Sequence, residues 1–155
     1  MSAIEPRPLP ADSLLARLRG PECYRDAFCA EVPGQVTLAA FIAAFYGSGA
    51  FLPERLALHA IGRGGGRAEA AALAEARANR FAAWTVEARE ADQILLRDFR
   101  DFTCSWLHAE PRGQTTRLWF GSGLRHPERT VARALVPVHR WYSRQLLAGA
   151  VRGLR

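Results

Sequence analysis

The residues best suited to acid–base chemistry are a histidine in the second half of the chain and the carboxylates around it. His108 ends a run in which apolar side chains alternate, and a histidine with a pKa near neutrality can act as a general acid or base. Asp98 and Asp101 precede it on the neighbouring predicted strand and turn, where they could orient the ring. The alternative, which we favour, is a partly exposed hydrogen-bonding residue at a strand end near Glu110.

A second candidate lies where the last helix is predicted to begin, at Pro137. His139 and Arg140 would then occupy its first turn, where backbone N–H groups attract an anion. Arg140 could clamp a carboxylate or phosphate in bidentate fashion. The simpler interpretation, which we favour, is that His139 fixes the helix start against the sheet. His59 and His126 are predicted to be a helix-face and a loop residue.

Aromatic side chains in the predicted strands could line a pocket for a small ligand. Phe102, Cys104, Trp106 and His108 alternate, so they should share one strand face. We expect Trp84, Val86, Leu118 and Phe120 to join them from neighbouring strands, which is how small-ligand sites are usually lined. The predicted ligand-binding residues are Trp84, Cys104, Trp106, His108, Phe120, His139 and Arg140. The competing interpretation, slightly favoured, is that the strand residues fill a solid core.

Several classes of enzyme are disfavoured because their signatures are missing. The sequence has no GxSxG elbow, P-loop, GxGxxG, HExxH or EF-hand loop. Cys23, Cys29 and Cys104 lack CxxC spacing and are predicted to be free buried thiols. Only Cys104 and His108 have the short spacing of a zinc ligand pair. We therefore expect no metal and no cofactor, and we favour a protein that is not an enzyme.

The charge balance is basic, yet the basic residues are scattered. The net charge is +6 with a pI near 10.2, and all 21 basic residues are arginines, spread from Arg7 to Arg155. This distribution predicts a solvated surface without a specific nucleic-acid partner. No apolar run approaches the roughly 20 residues that span a bilayer, and the N-terminus does not look like a signal peptide. We therefore expect a cytoplasmic protein without a membrane span.

The elements that would position these residues indicate an α+β domain over 11–155, preceded by a flexible N-terminal arm over 1–10. A first strand starts at Tyr24 and ends at Pro33-Gly34, and Thr37 caps an apolar helix. Further helices are predicted at 53–61 and 68–80, and the latter is Ala-rich and expected to be surface-lying or partly mobile. The predicted antiparallel meander has strands at 81–89, 93–99, 102–109 and 115–120. The last helix covers 137–154, and a helical segment from Glu128 would place Pro137 at a kink.

Four stretches of this sequence resemble the START/polyketide-cyclase-like (helix-grip, SRPBCC) superfamily, and within it a bacterial family of small cyclase-like domains. They are Tyr24-Arg-Asp-Ala-Phe28, Leu38-Ala-Ala-Phe-Ile-Ala-Ala-Phe45, Thr115-Thr-Arg-Leu-Trp-Phe120 and Pro137-Val-His-Arg-Trp-Tyr142. The resemblance implies a curved antiparallel sheet packed on a long C-terminal helix, with two or three helices inserted after the first strand. It also implies an apolar cavity between sheet and helix, and it carries no catalytic motif.

Three functions follow from these observations. The first is binding of a small hydrophobic or amphipathic molecule between the sheet and the C-terminal helix. The second is an interaction module, without a ligand, whose exposed arginines on the last helix contact a protein or an acidic surface; a homodimer stays open. The third is a cyclase- or dehydratase-type enzyme that uses His108 with Asp98. We favour them in this order.

Overall fold

A computed structural model of the protein describes residues 3–18, 24–125 and 130–155, so that Cys23 and His126 lie outside the described residues. The strands are β1 (Glu5–Pro6), β2 (Tyr24–Pro33), β3 (Arg80–Phe81), β4 (Trp84–Arg89), β5 (Gln93–Asp98), β6 (Thr103–Arg112) and β7 (Thr115–Leu124). The helices are α1 (Leu14–Arg17), α2 (Leu38–Gly47), α3 (Leu52–Ala60), α4 (Arg67–Ala74) and α5 (Thr130–Gly153).

The strands form one curved antiparallel sheet of seven strands in the order β1-β2-β7-β6-β5-β4-β3. The predicted meander from β4 to β7 is confirmed, and β2 pairs with β7 from Tyr24↔Leu124 to Pro33↔Thr115. Glu5–Pro6, inside the predicted arm, adds an edge strand to β2. The α+β architecture expected from the sequence, with helices after the first long strand and a C-terminal helix on the sheet, is therefore confirmed.

Strands β6 and β7 are longer than predicted. β7 continues past Phe120 because Gly121 and Gly123 leave room for the side chains packed beneath them. A Cβ at Gly121 would lie 2.8 Å from atoms of both Leu15 and Trp106. β6 continues through Pro111 to a tight turn at Gly113, whose φ of +68° suits glycine. The segment 110–113, predicted as a connection, is mostly strand.

The helix side of the sheet is filled by the apolar helix α2. Thr37 accepts a hydrogen bond from the amide of Ala40 and so caps the helix as predicted. Phe45 packs on Phe120 of β7 with ring centroids 4.8 Å apart, and Tyr46 packs on Phe81 at 4.7 Å. All four side chains are buried. These aromatic contacts join α2 to both the centre and the edge of the sheet.

Two helix predictions are wrong. The helix predicted over 68–80 ends at Ala74, and it packs against α2 with Ala70 and Leu73 buried instead of lying on the surface. Small alanines allow this close approach. The last helix begins at Thr130, not at Pro137, which lies inside it. The preceding helical segment considered in the sequence is therefore real, and α5 is long enough to run across β2 and β7.

The opposite face of the sheet is covered by α1. Ser13 caps this helix by accepting a hydrogen bond from the amide of Ala16. Leu14 and Leu15 are buried there against Trp106 and its neighbours in a second apolar cluster. None of the helices in the described part of the chain combines the length and the apolar character needed to cross a bilayer.

Candidate functional site

The predicted row of pocket residues is divided between the two faces of the sheet. Cys104, Trp106 and His108 do share one face, but it is the face covered by α1. Leu118 and Phe120 belong to the core on the helix side, and Trp84 and Val86 pack against that core. The expectation that all of them line one surface is therefore wrong. The register explains this, since His108 pairs with Trp119 and so shares its face with that residue, not with Phe120.

His108 is 8% exposed and is held at one end of its strand face. Its Nε2 atom lies 3.2 Å from Oδ2 of Asp92, and its ring packs beside Trp106. Asp98 lies at the other end of β5, where its carboxylate accepts hydrogen bonds from the amides of Arg100, Phe102 and Thr103. Asp101 contacts Arg125 at 3.3 Å. The carboxylate beside His108 is therefore Asp92, and Asp98 organises a turn.

Most polar groups beneath α1 are bonded within the fold, although Nδ1 of His108 is buried without a hydrogen-bond partner among the described residues. Oε1 of Gln93 accepts hydrogen bonds from the indole N–H of Trp106 and from the amide of Leu14, each at 2.9 Å. Trp119 donates to Glu110 at 2.9 Å. Cys29 and Cys104 are buried, and burial raises the pKa of the Cys29 thiol. This face is built to hold α1 on the sheet.

The helix side contains a polar chain centred on Ser122. Its hydroxyl donates to Oδ1 of Asp26 at 2.7 Å and lies 2.5 Å from Nε2 of His139. Because the single hydroxyl proton goes to the carboxylate, the geometry requires His139 to donate from Nε2. Burial lowers the pKa of His139, while Asp26 opposes that shift. A neutral His139 therefore fixes α5 to β7 and β2, although it lies in the helix interior and not in the first turn.

The polar chain of hydrogen-bonded side chains around Ser122 continues to Arg140 at the surface. Tyr24 donates to Oδ2 of Asp26 at 3.0 Å. Burial and the Asp26 carboxylate raise the pKa of Tyr24 to about 12, and Arg140 opposes the shift. The Arg140 guanidinium lies 5.8 Å from the ring centroid of Phe28. Sequence reasoning missed Asp26, Ser122 and Tyr24, because β2 is distant in the chain from β7 and α5.

Beside Arg140, a groove of about 830 Å³ runs between α5 and the β1–β2 edge of the sheet. Its apolar lining includes Ile4, Pro6, Phe28, Pro137, Trp141 and Val151. Four arginines also line it, namely Arg140, Arg144, Arg152 and Arg155. Within ranges 3–18, 24–125 and 130–155, no aspartate or glutamate lines it. The groove thus combines an apolar wall with positive charge.

The four arginines are exposed, and none of them forms an ion pair with an acidic side chain of the described residues. Arg144 donates only to the backbone carbonyl of Ile4, at 3.3 Å. By contrast, Arg117 and Arg125 elsewhere in the molecule are paired with carboxylates. The groove therefore offers cations whose counter-charge is not supplied by any acidic side chain that the structure describes.

A half-buried acid lies on the other flank of α5. Glu54 of α3 accepts a hydrogen bond from the hydroxyl of Tyr142 at 3.2 Å, and burial raises the pKa of both groups. Trp84 and Tyr46 also lie near this carboxyl group. Glu54 helps to raise the pKa of Tyr46, and Trp84 opposes the rise in the pKa of Glu54. These contacts attach α3 to α5. They place Trp84 on the side of α5 away from the arginine-lined groove.

No group of three or more His, Cys, Asp or Glu side chains within the described ranges is arranged to hold a metal ion. Of the predicted ligand-binding residues, only Arg140 lines the groove. Phe120 is in the core behind it, and His139 is in the polar chain that leads to Arg140. Comparison with known proteins found no matching family model, no matching curated protein and no matching solved structure. The groove is therefore the candidate site of this protein.

Proposed function

We propose that this protein binds a small amphipathic anion in the groove between α5 and the β1–β2 edge. The ligand would consist of an apolar chain or ring system that carries a carboxylate or a phosphate. The observation that supports this most directly is the pairing of an apolar wall with four arginines and no acidic lining residue. A volume of about 830 Å³ lies within the range of pockets that bind small molecules.

Each part of the groove has a role in such binding. The side chains of Phe28, Trp141 and Val151 would exclude water from the apolar part of the ligand. Arg140 and Arg144 would donate hydrogen bonds to its anionic group, since a guanidinium fits a carboxylate or phosphate with two parallel N–H groups. The polar chain through Tyr24 and Asp26 would orient Arg140. The protein would thus act as a binder and not as an enzyme.

We also propose that the chain is a small-ligand-binding member of the SRPBCC superfamily. The seven-stranded antiparallel sheet with a C-terminal helix packed on it is compatible with a helix-grip fold. The proposed ligand, however, would occupy the outer flank of the helix, because aromatic side chains of α2 fill the space above β7. An enzyme that uses His108 would need a separate site beneath α1, on the far face of the sheet.

Isothermal titration calorimetry tests the proposal with dodecanoate and dodecyl phosphate, and with neutral dodecanol as the matched probe. We expect both anions to bind with a dissociation constant in the micromolar range and dodecanol to bind at least about tenfold more weakly. Arg140→Gln should weaken anion binding by a similar factor. Arg97→Gln is the control, since Arg97 lies on the face covered by α1.

Two results would contradict the proposal. One is equal affinity for dodecanol and the two anions, which would make the arginines irrelevant. The other is an equal loss of affinity in the Arg97 and Arg140 variants, which would indicate a general charge effect. Native mass spectrometry of the purified protein adds an independent check, because a co-purifying amphipathic anion would identify the ligand class directly.

A further inference from the structure

The outward side of α5 exposes three large apolar side chains. Leu135 is 55% exposed, Val138 63% and Trp141 62%. They are spaced by three residues and so follow one another along one side of the helix. Single exposed apolar residues are common on protein surfaces, but a row of three this exposed is a candidate contact surface.

Helix α3 adds to this surface. Pro53 at its start and Trp141 line a second groove of about 820 Å³ on the other flank of α5. The Tyr142–Glu54 hydrogen bond holds the two helices together there. Within α3, Leu52 is 44% exposed and Leu56 61%. Trp141 is therefore a ridge between two grooves, with exposed apolar side chains on both helices.

The positive charge of this region favours an anionic partner. From Thr130 to Arg155 the sequence contains five arginines and no aspartate or glutamate. In a two-fold dimer through this surface, the same arginines of both copies would face each other, which opposes self-association. Duplex nucleic acid would satisfy the arginines but would leave Leu135, Val138 and Trp141 without an apolar environment. An anionic lipid surface satisfies both requirements.

We propose that α5 docks on the surface of an anionic bilayer. Leu135, Val138 and Trp141 enter the boundary between head groups and acyl chains, and Arg140, Arg144 and Arg152 contact lipid phosphates. Tryptophan suits this boundary because its ring is apolar and its N–H is polar. The inference goes beyond ligand binding in the groove. Because Trp141 borders the groove, the docked helix would let an amphipathic anion pass between the bilayer and the protein.

Vesicle co-sedimentation tests the proposal with the full chain. Vesicles of phosphatidylcholine alone are compared with vesicles of phosphatidylcholine mixed with phosphatidylglycerol. We expect sedimentation only with the anionic vesicles, and a blue shift of tryptophan emission, since Trp106 and Trp119 are already buried. A Leu135→Ser/Val138→Ser double variant should partition at least about tenfold more weakly.

The same variant separates this proposal from ligand binding, because neither Leu135 nor Val138 lines the arginine-lined groove. Its affinity for dodecyl phosphate should equal that of the parent protein, which also shows that it is folded. Phe99→Ser, at an exposed turn residue between β5 and β6, is the control and should leave vesicle binding unchanged.

Three outcomes would overturn the proposal. The first is no sedimentation with either kind of vesicle. The second is binding to anionic vesicles that the Leu135→Ser/Val138→Ser variant retains in full, which would be adsorption of arginines without insertion. The third is binding to immobilised polyglutamate that an excess of anionic vesicles fails to displace, which would indicate an acidic protein partner.

Discussion

The two faces of the sheet are both apolar, but they differ in whether their polar groups have partners within the protein. Beneath α1, the indole of Trp106, the amide of Leu14 and the ring of His108 all have partners in the fold. On the helix side, the polar chain from His139 ends at Arg140, an exposed cation without an acidic partner among the described residues. On the first face these groups are bonded within the fold, although Nδ1 of His108 is buried without a hydrogen-bond partner among the described residues. The second face presents an exposed cation that a ligand or a surface would satisfy.

This difference separates stability from binding. A side chain whose hydrogen bonds are all made within the protein contributes to the free energy of unfolding, and its removal leaves a buried partner unsatisfied. An exposed arginine contributes little to that free energy. Substitutions beneath α1 should therefore destabilise the fold without changing ligand affinity. Substitutions of the exposed groove arginines should lower ligand affinity with little change in the free energy of unfolding.

The largest effect is expected for Trp106→Ala. This fully buried side chain packs on Trp119 with ring centroids 6.1 Å apart, so its removal leaves a cavity. We expect the free energy of unfolding to fall by about 3–5 kcal/mol, as measured by urea denaturation. At low temperature, where the variant is folded, dodecyl phosphate affinity should stay unchanged. Lost affinity in the folded variant would show that the two faces are coupled.

A smaller effect is expected for Gln93→Leu. The substitution removes the acceptor shared by the Leu14 amide and the Trp106 indole, and leaves both donors buried. The free energy of unfolding should fall by about 2–4 kcal/mol, for two unsatisfied donors at roughly 1–3 kcal/mol each with some relaxation. Exchange of the Leu14 amide hydrogen should also become faster. Gln114→Leu, in the β6–β7 turn, is the control and should change stability little.

The smallest effect is expected when His139 is replaced, and it is a change in how the free energy of unfolding depends on pH. Burial lowers its pKa from 6.5, so below about pH 6.5 the unfolded chain binds a proton that the folded protein does not. Stability should therefore fall as the pH drops through this range. His139→Asn, which can still donate to Ser122, should remove that part of the fall. Urea denaturation of both proteins at about pH 7.5 and about pH 5.5 measures it.

The comparison of the two proteins removes the contribution of Glu54, whose raised pKa acts in the opposite direction. With its pKa above 4.5, Glu54 stabilises the fold as the pH falls, equally in the parent and in the variant. A parent protein and a His139→Asn variant with the same pH dependence would mean that His139 is not held neutral by the fold.

Local patterns were sufficient for much of the fold. The alternation from Tyr24 to Glu31, the Thr37 cap before an apolar helix and the short connections of the meander each depend on neighbours in sequence. Strand ends were harder to predict. β7 extends past Phe120 because Gly121, which has no side chain, leaves room for Leu15 and Trp106. Such an end depends in part on Leu15, which is more than 100 positions away in the chain.

The candidate site was predicted less well. Arg140 was recognised as an anion clamp, but the reason given, a position in the first turn of the helix, is wrong because α5 begins at Thr130. His108 was correctly placed on one face with Cys104 and Trp106. Its carboxylate partner, however, is Asp92 and not Asp98, because Asp92 directly precedes Gln93, the residue that pairs with His108. One clue in the sequence was available, namely arginines without acids over 130–155.

By itself, the sequence determined the α+β class, the order of the elements and the apolar and arginine-bearing faces of the last helix, because helical and strand periodicity are local properties. Only the tertiary structure decided which strand face each side chain occupies, since a one-residue change of register moves a residue to the other face. It also decided that Asp26, Ser122 and His139 meet, and that the arginines of α5 border a groove. Asp26 and Ser122 are 96 positions apart in the chain, and Arg144 and Ile4 at the groove are 140 apart, so no local pattern encodes these contacts.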